Sequence, residues 1–236
     1  MVPIEKLLNT LKQNKINFFT GVPDSILKNL SNKFNKLGKS KHIVATNEGS
    51  AVSLGIGHYL STKRIPCIYL QNSGLGNAIN PLISIAHKKI YSIPLLLIIG
   101  WRGSPGIKDE PQHKVKGKVT LRLLKLLDIE YCILRKKQDL IKLDKLIKKS
   151  SQHKKTVACL VTKNTLEPQK KAIKIKKNND FPLRKDFIIQ LLKVVPNNSK
   201  IISTTGYTSR ELMQIRREKK LYKGKDFYMI GGMGHS

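Results

Sequence analysis

Apolar residues follow two different spacings in this chain, and the two spacings alternate along the sequence. Ile4, Leu7, Leu8 and Leu11 recur at every third or fourth position, which places them on one face of a helix. The stretch 94–99 is instead a continuous apolar run, as in a strand that is covered on both faces. Because segments of the two kinds follow one another, the pattern is typical of an α/β protein with a parallel sheet.

We therefore predict a doubly wound parallel sheet, followed by the beginning of a second, similar α/β domain. The strands are predicted near residues 18–20, 42–45, 66–70, 94–99, 131–134, 156–161, 200–203 and 227–230. The helices are predicted near residues 4–11, 26–34, 46–63, 116–127, 184–194 and 207–217, with two more after residues 77 and 134.

A change in composition divides the chain. Residues 163–180 are rich in lysine and contain Pro168 and two adjacent asparagines, so they have little to bury and are predicted to be a linker. The flanking domains are then residues 1–162 and 181–236. Two strands and two helices are too few for a core of their own, and a glycine-rich turn such as 231–234 normally leads into a helix. We therefore expect the second domain to be incomplete in this sequence.

The net charge of +30 comes mostly from lysines that are scattered over almost every segment. A charge of this size is typical of nucleic-acid-binding proteins. However, only eight of the 45 basic residues are arginines, and they form no arginine-rich cluster of the kind that reads bases. We interpret the charge as a solvated lysine surface and predict no nucleic-acid partner, although such a surface would still attract anionic substrates.

Localisation is predicted from what the sequence lacks. No apolar stretch is long enough to cross a bilayer, and the first residues lack the charged and apolar regions of a secretion signal. Cys67, Cys132 and Cys159 are isolated, without the spacing of metal ligands, and read as reduced thiols. We therefore expect a cytoplasmic protein with no membrane partner.

Glu48 lies where a predicted strand leads into a helix. In open α/β folds ligands bind at this edge of the sheet, so Glu48 is a candidate functional carboxylate. A structural explanation is also available: Thr46 or Asn47 caps the helix, and an acid in the first turn interacts favourably with the helix dipole. The residues of this window alone favour the structural explanation.

Three further features follow predicted strands, and each has two explanations. Asp24 is either a helix cap or a functional acid. The turn from Gly74 to Asn77 either has simple turn geometry or presents backbone amides to a ligand. His113 ends a predicted loop, residues 100–113, that is too polar for a core, and a lone histidine in such a loop is most often solvated.

Several of these stretches occur together, and in the same order, in one enzyme family. They are Gly21–Ser25, Thr46–Gly49, Gln71–Asn77, Asp109–His113, Thr204–Glu211 and Gly234–Ser236. With them the chain resembles the thiamine-diphosphate-dependent 2-oxo-acid decarboxylases of the phosphonopyruvate decarboxylase type, which are close to sulfopyruvate decarboxylase. The resemblance covers nearly the whole chain.

The resemblance implies that residues 1–162 bind the pyrimidine of thiamine diphosphate and that residues 181–236 begin the diphosphate-binding domain. The family's magnesium motif, Gly-Asp-Gly followed by Asn, would lie beyond Ser236, so no Mg²⁺ ligand is predicted in this sequence. The implied reaction is decarboxylation of 3-phosphonopyruvate to phosphonoacetaldehyde. The chain would form a homodimer or higher oligomer. Alternatively, it is a sulfopyruvate decarboxylase-like subunit that needs a partner chain, or a catalytically dead remnant.

The resemblance also implies roles for single residues. Glu48 matches the glutamate that hydrogen-bonds the pyrimidine ring nitrogen in this family. Asp24 is similar in position to an acid that assists proton transfer to the product, and His113 is similar to a histidine that contacts the substrate or relays a proton. The resemblance places Gly232 and Met233 beside the cofactor, although Met233 is alternatively a plain core residue. If the turn after the third predicted strand has a binding role, its cofactor contacts are Gly74, Gly76 and Asn77.

Overall fold

Strands and helices alternate in the structure, as the hydrophobic pattern predicts. A computed structural model describes residues 1–168, 181–196, 198–204, 206–219 and 226–229. The chain separates into two units, Met1–Lys170 and Lys171–Ser236. The helices of the first unit are α1 (Ile4–Gln13), α2 (Lys28–Phe34), α3 (Glu48–Thr62), α4 (Leu75–Pro81), α5 (Pro111–Leu126) and α6 (Asp139–His153). Its strands are β1 (Phe19–Gly21), β2 (His42–Val44), β3 (Cys67–Gln71), β4 (Leu96–Gly100), β5 (Glu130–Leu134) and β6 (Val157–Val161).

The six strands of the first unit form one sheet, in which all neighbours are parallel and the order is β2-β1-β3-β4-β6-β5. From β1 the chain first moves outward to β2 and then returns to place β3 on the other side of β1. This reversal of direction is a topological switch point. In open α/β sheets, ligands bind beyond the carboxyl ends of the strands at such a point.

Helices cover both faces of the sheet, because successive residues of a strand point to opposite sides. In β3, Cys67 and Tyr69 belong to the apolar core that includes α1, α2 and α6, whereas Ile68 and Leu70 belong to the core that includes α3, α4 and α5. Every residue of β3, β4 and β6 is buried, which explains their continuous apolar runs. The predicted doubly wound parallel sheet is confirmed.

One difference from the predicted elements affects the candidate site. The sequence predicts a loop that extends to His113 and a helix that begins near Lys116, but α5 begins at Pro111. Proline suits the first turn of a helix, because the N–H that it lacks would be unpaired there in any case. Glu110 is extended, with φ −61° and ψ 146°, and ends the loop. His113 therefore lies in the first turn of α5.

Part of the predicted linker packs with the first unit. The backbone N–H of Val2 donates to the Thr165 carbonyl at 2.7 Å, and the N–H of Glu167 donates to the Val2 carbonyl at 3.0 Å. Leu166, between them, is buried. Residues 169–180 lie outside the described part of the chain, so the assignment of a pyrimidine domain, a linker and a diphosphate domain stays a prediction.

The second unit repeats the α/β pattern on a smaller scale. Its two short strands pair in parallel, and its helices share one small apolar core. The described elements are α7 (Arg184–Val194), β7 (Ile202–Ser203), α8 (Tyr207–Glu218) and β8 (Phe227–Tyr228). The core residues are Ile188, Leu192, Leu212 and Ile215.

Candidate active site

Polar side chains follow or end four neighbouring strands at the switch point. Asp24 follows β1, Glu48 follows β2, Gln71 ends β3 and Arg102 follows β4. Asp24 and Glu48 are 6% exposed, and Gln71 is 7% exposed. Burying such groups costs free energy unless they find hydrogen-bond partners. The partners of each group therefore indicate whether it stabilises the fold or is kept for a ligand.

Glu48 is buried in the first turn of α3 but does not cap this helix. The cap is Asn47, whose side-chain oxygen accepts from the Ser50 N–H at 2.9 Å. Oε2 of Glu48 accepts from Asn77 Nδ2 at 2.8 Å, while Oε1 has no hydrogen-bond partner among the described residues. The helix dipole favours an acid here, but it does so equally for a solvated one. The burial of a carboxylate with an unoccupied oxygen therefore favours a binding role.

The turn after β3 fits closely against this carboxylate. A Cβ on the buried Gly74 would lie 1.9 Å from Glu48 Oε1, so Glu48 can occupy its position only because residue 74 is glycine. Asn77, from the same turn, supplies the hydrogen bond to Oε2. Gly76 is exposed, and a Cβ there would meet nothing within 4 Å. The structure thus brings Gly74 and Asn77 to Glu48, but not Gly76.

Asp24 connects β1 to β3 across the switch point. Its Oδ2 accepts from the backbone N–H groups of Ile26 at 3.0 Å and Leu27 at 3.2 Å, in the turn before α2. Its Oδ1 accepts from Gln71 Nε2 at 2.6 Å. Gly100 provides the necessary space, since a Cβ there would lie 2.0 Å from Asp24 Oδ2. Asp24 therefore caps a turn and also belongs to the polar network of the sheet edge.

Arg102 and Asp109 shape the loop that follows β4. Nε of Arg102 donates to Asp109 Oδ2 at 2.8 Å, and its Nη2 donates to Oδ1. The backbone N–H groups of Gly103 and Glu110 donate to the same carboxylate, each at 2.8 Å. The Arg102 guanidinium, followed by these backbone donors, holds the pKa of Asp109 well below its usual range. Nη1 of Arg102 donates to Ser25 Oγ at 3.1 Å and so ties the loop to the β1–α2 connection.

His113 is half-buried at the same edge of the sheet. Burial lowers its pKa, the positive charge of Arg102 lowers it further, and the negative charges of Asp109 and Asp24 partly oppose this. Gly103, with φ +66°, approaches the His113 backbone so closely that a Cβ would lie 1.9 Å from the His113 carbonyl oxygen. The loop after β4 therefore holds His113 close to Arg102, and the lowered pKa favours the neutral form of its imidazole.

The sequence reasoning assigned no role to Gln71, Gly100 or Asp109, which the structure places in this network. A signal exists for Gln71, because it is a polar residue at the end of an apolar strand and at the ligand-binding edge. The roles of Gly100 and Asp109 depend on how the loop folds, and no spacing in the sequence predicts them. Gly232 and Met233 lie outside the described residues.

Neither a metal centre nor a membrane span is found in the described ranges. No group of three or more His, Cys, Asp or Glu side chains there is placed to hold a metal ion. None of the helices described is both long and apolar enough to cross a bilayer. The Mg²⁺ site of the predicted enzyme stays a prediction.

Comparison with known protein families identifies the class to which this parallel sheet, with a buried glutamate at its switch point, belongs. The family described as thiamine pyrophosphate enzyme, N-terminal TPP binding domain, matches residues 4–121. This range contains Asp24, Glu48, the turn after β3 and His113. The chain belongs to the thiamine pyrophosphate enzyme family, whose cofactor is thiamine pyrophosphate.

Within this class the chain is similar to two kinds of decarboxylase. It is 30% identical to phosphonopyruvate decarboxylase of Streptomyces hygroscopicus over 99% of this chain and 60% of that protein. It is 34% identical to sulfopyruvate decarboxylase subunit alpha of Methanococcus maripaludis over 54% of this chain and 74% of that subunit. The chain thus spans about 60% of the length of the phosphonopyruvate decarboxylase that it matches. The resemblance that the motifs indicate is confirmed.

A solved structure shows the same fold. Benzoylformate decarboxylase from Polynucleobacter necessarius superposes on this chain with a TM-score of 0.56. The superposed part is 89% of this chain and 40% of the benzoylformate decarboxylase chain. The sequence identity is 16%, so this likeness shows the fold alone. It supports the α/β class and makes no statement about the substrate.

Proposed function

We propose that this chain acts in the thiamine-pyrophosphate-dependent decarboxylation of a 2-oxo acid, converting 3-phosphonopyruvate to phosphonoacetaldehyde and carbon dioxide. Similarity to phosphonopyruvate decarboxylase along 99% of the chain supports this substrate. The observation that carries the proposal is the buried Glu48 carboxylate, with Gly74 against one oxygen and Asn77 hydrogen-bonded to the other.

We also propose that the protein acts in the cytoplasm. All three cysteines are free thiols, which supports a reducing compartment of this kind.

The residues around Glu48 fit the pyrimidine end of the cofactor. A ring N–H needs a buried acceptor, and Glu48 Oε1 is an acceptor with no partner among the described residues. Asn77 holds the other oxygen, so the carboxylate is oriented before a ligand arrives. Its low exposure keeps water from competing for the hydrogen bond. When bound, thiamine pyrophosphate supplies a carbon nucleophile for the oxo group and an electron sink for the loss of carbon dioxide.

Asp24 and His113 are proposed to exchange protons with the substrate and product. The lowered pKa of His113 favours its neutral form, in which the imidazole can accept a proton or share a hydrogen bond with the substrate. Gln71 and two backbone N–H groups orient Asp24, so it can act from a constant position. Both residues lie near Arg102, the start of the loop after β4.

The test of Glu48 is the release of carbon dioxide from 3-phosphonopyruvate, measured with thiamine pyrophosphate and Mg²⁺ present and with a complete diphosphate-binding domain supplied, either in the same chain or by a partner chain. Glu48→Gln keeps the size of the side chain and an acceptor for Asn77 but removes the charge. We expect release to slow by about 100-fold or more, the scale of proton-transfer catalysis. Glu5→Gln, which removes an exposed carboxylate paired with Lys33, should retain the normal rate. Near-normal turnover in Glu48→Gln would refute the proposed role.

A second candidate is a sulfopyruvate decarboxylase-like subunit that needs a partner chain. The observation that favours it is the 34% identity to a sulfopyruvate decarboxylase subunit alpha, of which this chain covers 74%. Comparing turnover of 3-sulfopyruvate and 3-phosphonopyruvate by the chain, alone and with a diphosphate-domain partner, separates the candidates. Activity only with the partner, and only on 3-sulfopyruvate, would favour the second.

We also propose that the chain pairs with a second copy of itself through α3. This helix exposes the apolar side chains of Leu54 and Leu60. A groove of about 900 Å³ along α3 and α4 includes Leu54 in its lining, together with small residues such as Ser53 and Gly57. Exposed apolar surface of this kind marks interfaces. Sedimentation velocity should show a dimer, and Ser53→Arg should shift it to the monomer; a native protein that sediments as a monomer contradicts the pairing.

A further inference from the structure

A cavity with charged walls lies beside the Arg102–Asp109 pair in the first unit. Its volume is about 860 Å³, within the range of small-molecule binding sites. The walls come from the loop after β4, from the first turns of α5 and from Lys163, two positions after β6. The side chains that matter are Arg102, Ser104, Lys108, Lys114, Lys118 and Lys163.

The walls of this cavity carry an excess of positive charge. Arg102 and four lysines line it, against the two carboxylates of Asp109 and Glu110. Asp109 is already engaged by Arg102. Within the described ranges, none of the four lysines forms an ion pair. Cations collected around one cavity repel one another and attract anions, so the charge favours an anionic ligand.

Ser104 provides a second, independent observation. This residue is 3% exposed, and its Oγ has no hydrogen-bond partner in the described part of the chain. A buried hydroxyl without a partner is costly and uncommon, and its usual explanation is a bound water, ion or ligand. Ser104 is among the residues that line the cavity, so a ligand bound there would lie beside this unpartnered hydroxyl.

The cavity adjoins the candidate active site through Arg102. The Arg102 side chain lines the cavity and also donates to Ser25 in the β1–α2 connection. Lys163 follows β6, and Lys114 and Lys118 lie one turn apart on α5. The positive charges therefore come from the same edge of the sheet as Asp24. This shared edge, with Arg102 at the junction, is the basis for connecting the cavity with a substrate held near Asp24.

We propose that this cavity binds the tetrahedral oxyanion, a phosphonate or a sulfonate, at the far end of a 2-oxo-acid substrate. The identity of the substrate rests on the proposed function, whereas the binding of the anion does not. A tetrahedral oxyanion presents three oxygens in different directions. Flexible lysine ammonium groups and one hydroxyl can reach all three, whereas a planar carboxylate offers only two.

Titration calorimetry with substrate analogues tests the binding without turnover. 3-Phosphonopropionate, 3-sulfopropionate and succinate share one carbon chain and lack the oxo group, so none of them can be decarboxylated. We expect the phosphonate or the sulfonate to bind about tenfold or more tightly than succinate, and the tighter of the two identifies the natural anion. Equal binding of succinate, or no binding of either tetrahedral anion, would overturn the proposal.

Variants then locate the site. Lys114→Ala, Lys118→Ala and Ser104→Ala should each weaken binding of the tighter analogue by about tenfold. Lys125→Ala removes the same charge from the same helix outside the cavity and should bind normally. Ser104→Ala removes an unpaired hydroxyl, so its melting temperature should not fall, and lost binding cannot then be attributed to unfolding. Equal affinity in Lys118→Ala and Lys125→Ala would refute the assignment.

The same variants separate this inference from the proposed function. If the tetrahedral analogue binds as expected but no 2-oxo acid is decarboxylated, the decarboxylase proposal fails and the anion site stands. If 3-phosphonopyruvate is decarboxylated and Lys114→Ala and Lys118→Ala leave kcat/KM unchanged, the anion site fails and the decarboxylase proposal stands. Pyruvate, which lacks the tetrahedral anion, should be turned over equally by the native chain and both variants.

Discussion

Glu48 and Asp109 are both buried carboxylates, but their surroundings are opposite. The Asp109 side chain is 3% exposed and accepts from two nitrogens of Arg102 and two backbone N–H groups. Glu48, measured over the whole residue rather than the side chain alone, is 6% exposed and accepts from one neutral amide, that of Asn77. An arginine compensates the charge of Asp109, whereas Glu48 forms no ion pair within the described residues.

This difference separates an acid that stabilises a loop from an acid kept for a ligand. An ionised carboxylate has about four acceptor sites, and those of Asp109 are filled by the protein. Glu48 retains acceptor capacity on Oε1, at the switch point where the fold binds ligands. Asp24 is intermediate between Glu48 and Asp109 in this respect, because its carboxylate accepts three hydrogen bonds. The rest of the fold must offset the cost of a buried carboxylate without a cation, which is expected of functional sites.

The largest expected effect comes from disturbing the less compensated acid. Gly74→Ala places a Cβ 1.9 Å from Glu48 Oε1, so the carboxylate must move away from its ligand-binding position. We expect carbon dioxide release to fall by about 100-fold, since small displacements of a catalytic group have effects of this size. Turnover of 3-phosphonopyruvate and thermal unfolding should be measured on the same preparation.

Gly76→Ala is the matched control for Gly74→Ala. Gly76 lies two residues further along the same segment, where a Cβ meets nothing within 4 Å. Alanine within α4 should leave turnover unchanged and raise the free energy of unfolding by about 0.5–1 kcal/mol. A large loss of activity in Gly76→Ala would instead support its predicted contact with the cofactor. Normal activity in Gly74→Ala would show that the close packing at Glu48 is unimportant.

Substitution of Asp109, the acid whose charge is compensated, should lower the free energy of unfolding more than it lowers activity. Asp109→Ala leaves Arg102 without its partner and frees the N–H groups of Gly103 and Glu110. Breaking a buried pair costs about 3–5 kcal/mol, and we expect about 3 kcal/mol here because the Arg102 side chain is 19% exposed. Urea unfolding measures this loss. Glu130→Ala, which breaks an exposed pair with Lys149, should cost less than about 1 kcal/mol. Equal losses of unfolding free energy in Asp109→Ala and Glu130→Ala would show that the buried pair stabilises the fold no more than the exposed one.

The sheet could be predicted from the sequence because its signal is local. Each residue of β3, β4 and β6 is buried, so these strands appear as unbroken apolar runs. The predicted start of α5 was wrong, because the proline and polar residues at 111–113 resemble a loop. Their helical conformation depends on the extended Glu110 and on the Arg102–Asp109 pair, which no local pattern shows.

The site was predicted less completely, because its contacts join distant residues. Glu48 could be proposed from its place between a strand and a helix, but its packing against Gly74 requires β2 and β3 to flank β1. Periodicity predicts strands and says nothing of their order. The same limit applies to Gln71, whose hydrogen bond to Asp24 joins the end of β3 to the residues after β1. It also applies to the positively charged cavity, in which Arg102 and Lys163 meet although they lie 61 positions apart in the sequence.

The smallest expected effect is at His113, which is near both Asp109 and Asp24. Burial and the Arg102 charge lower its pKa below the ordinary value of 6.5 despite these carboxylates, as expected if Asp109 is compensated. Lys116, which also lowers this pKa, gives a mild perturbation: in Lys116→Ala the pKa from an NMR titration should move up toward 6.5, and in Lys125→Ala it should not move. A native pKa above 6.5 would mean that uncompensated carboxylates dominate there.

The lowered pKa also has a consequence for stability. Below pH 6.5 the unfolded chain binds a proton at His113 that the folded chain does not bind, so the free energy of unfolding falls as the pH falls toward the folded-state pKa. His42 and His58 have lowered pKa values as well and contribute in the same direction. Comparing urea unfolding of the native chain and His113→Gln between pH 7 and 5 isolates the share of His113. Identical pH dependence in the two would show that Arg102 and burial do not act on this imidazole.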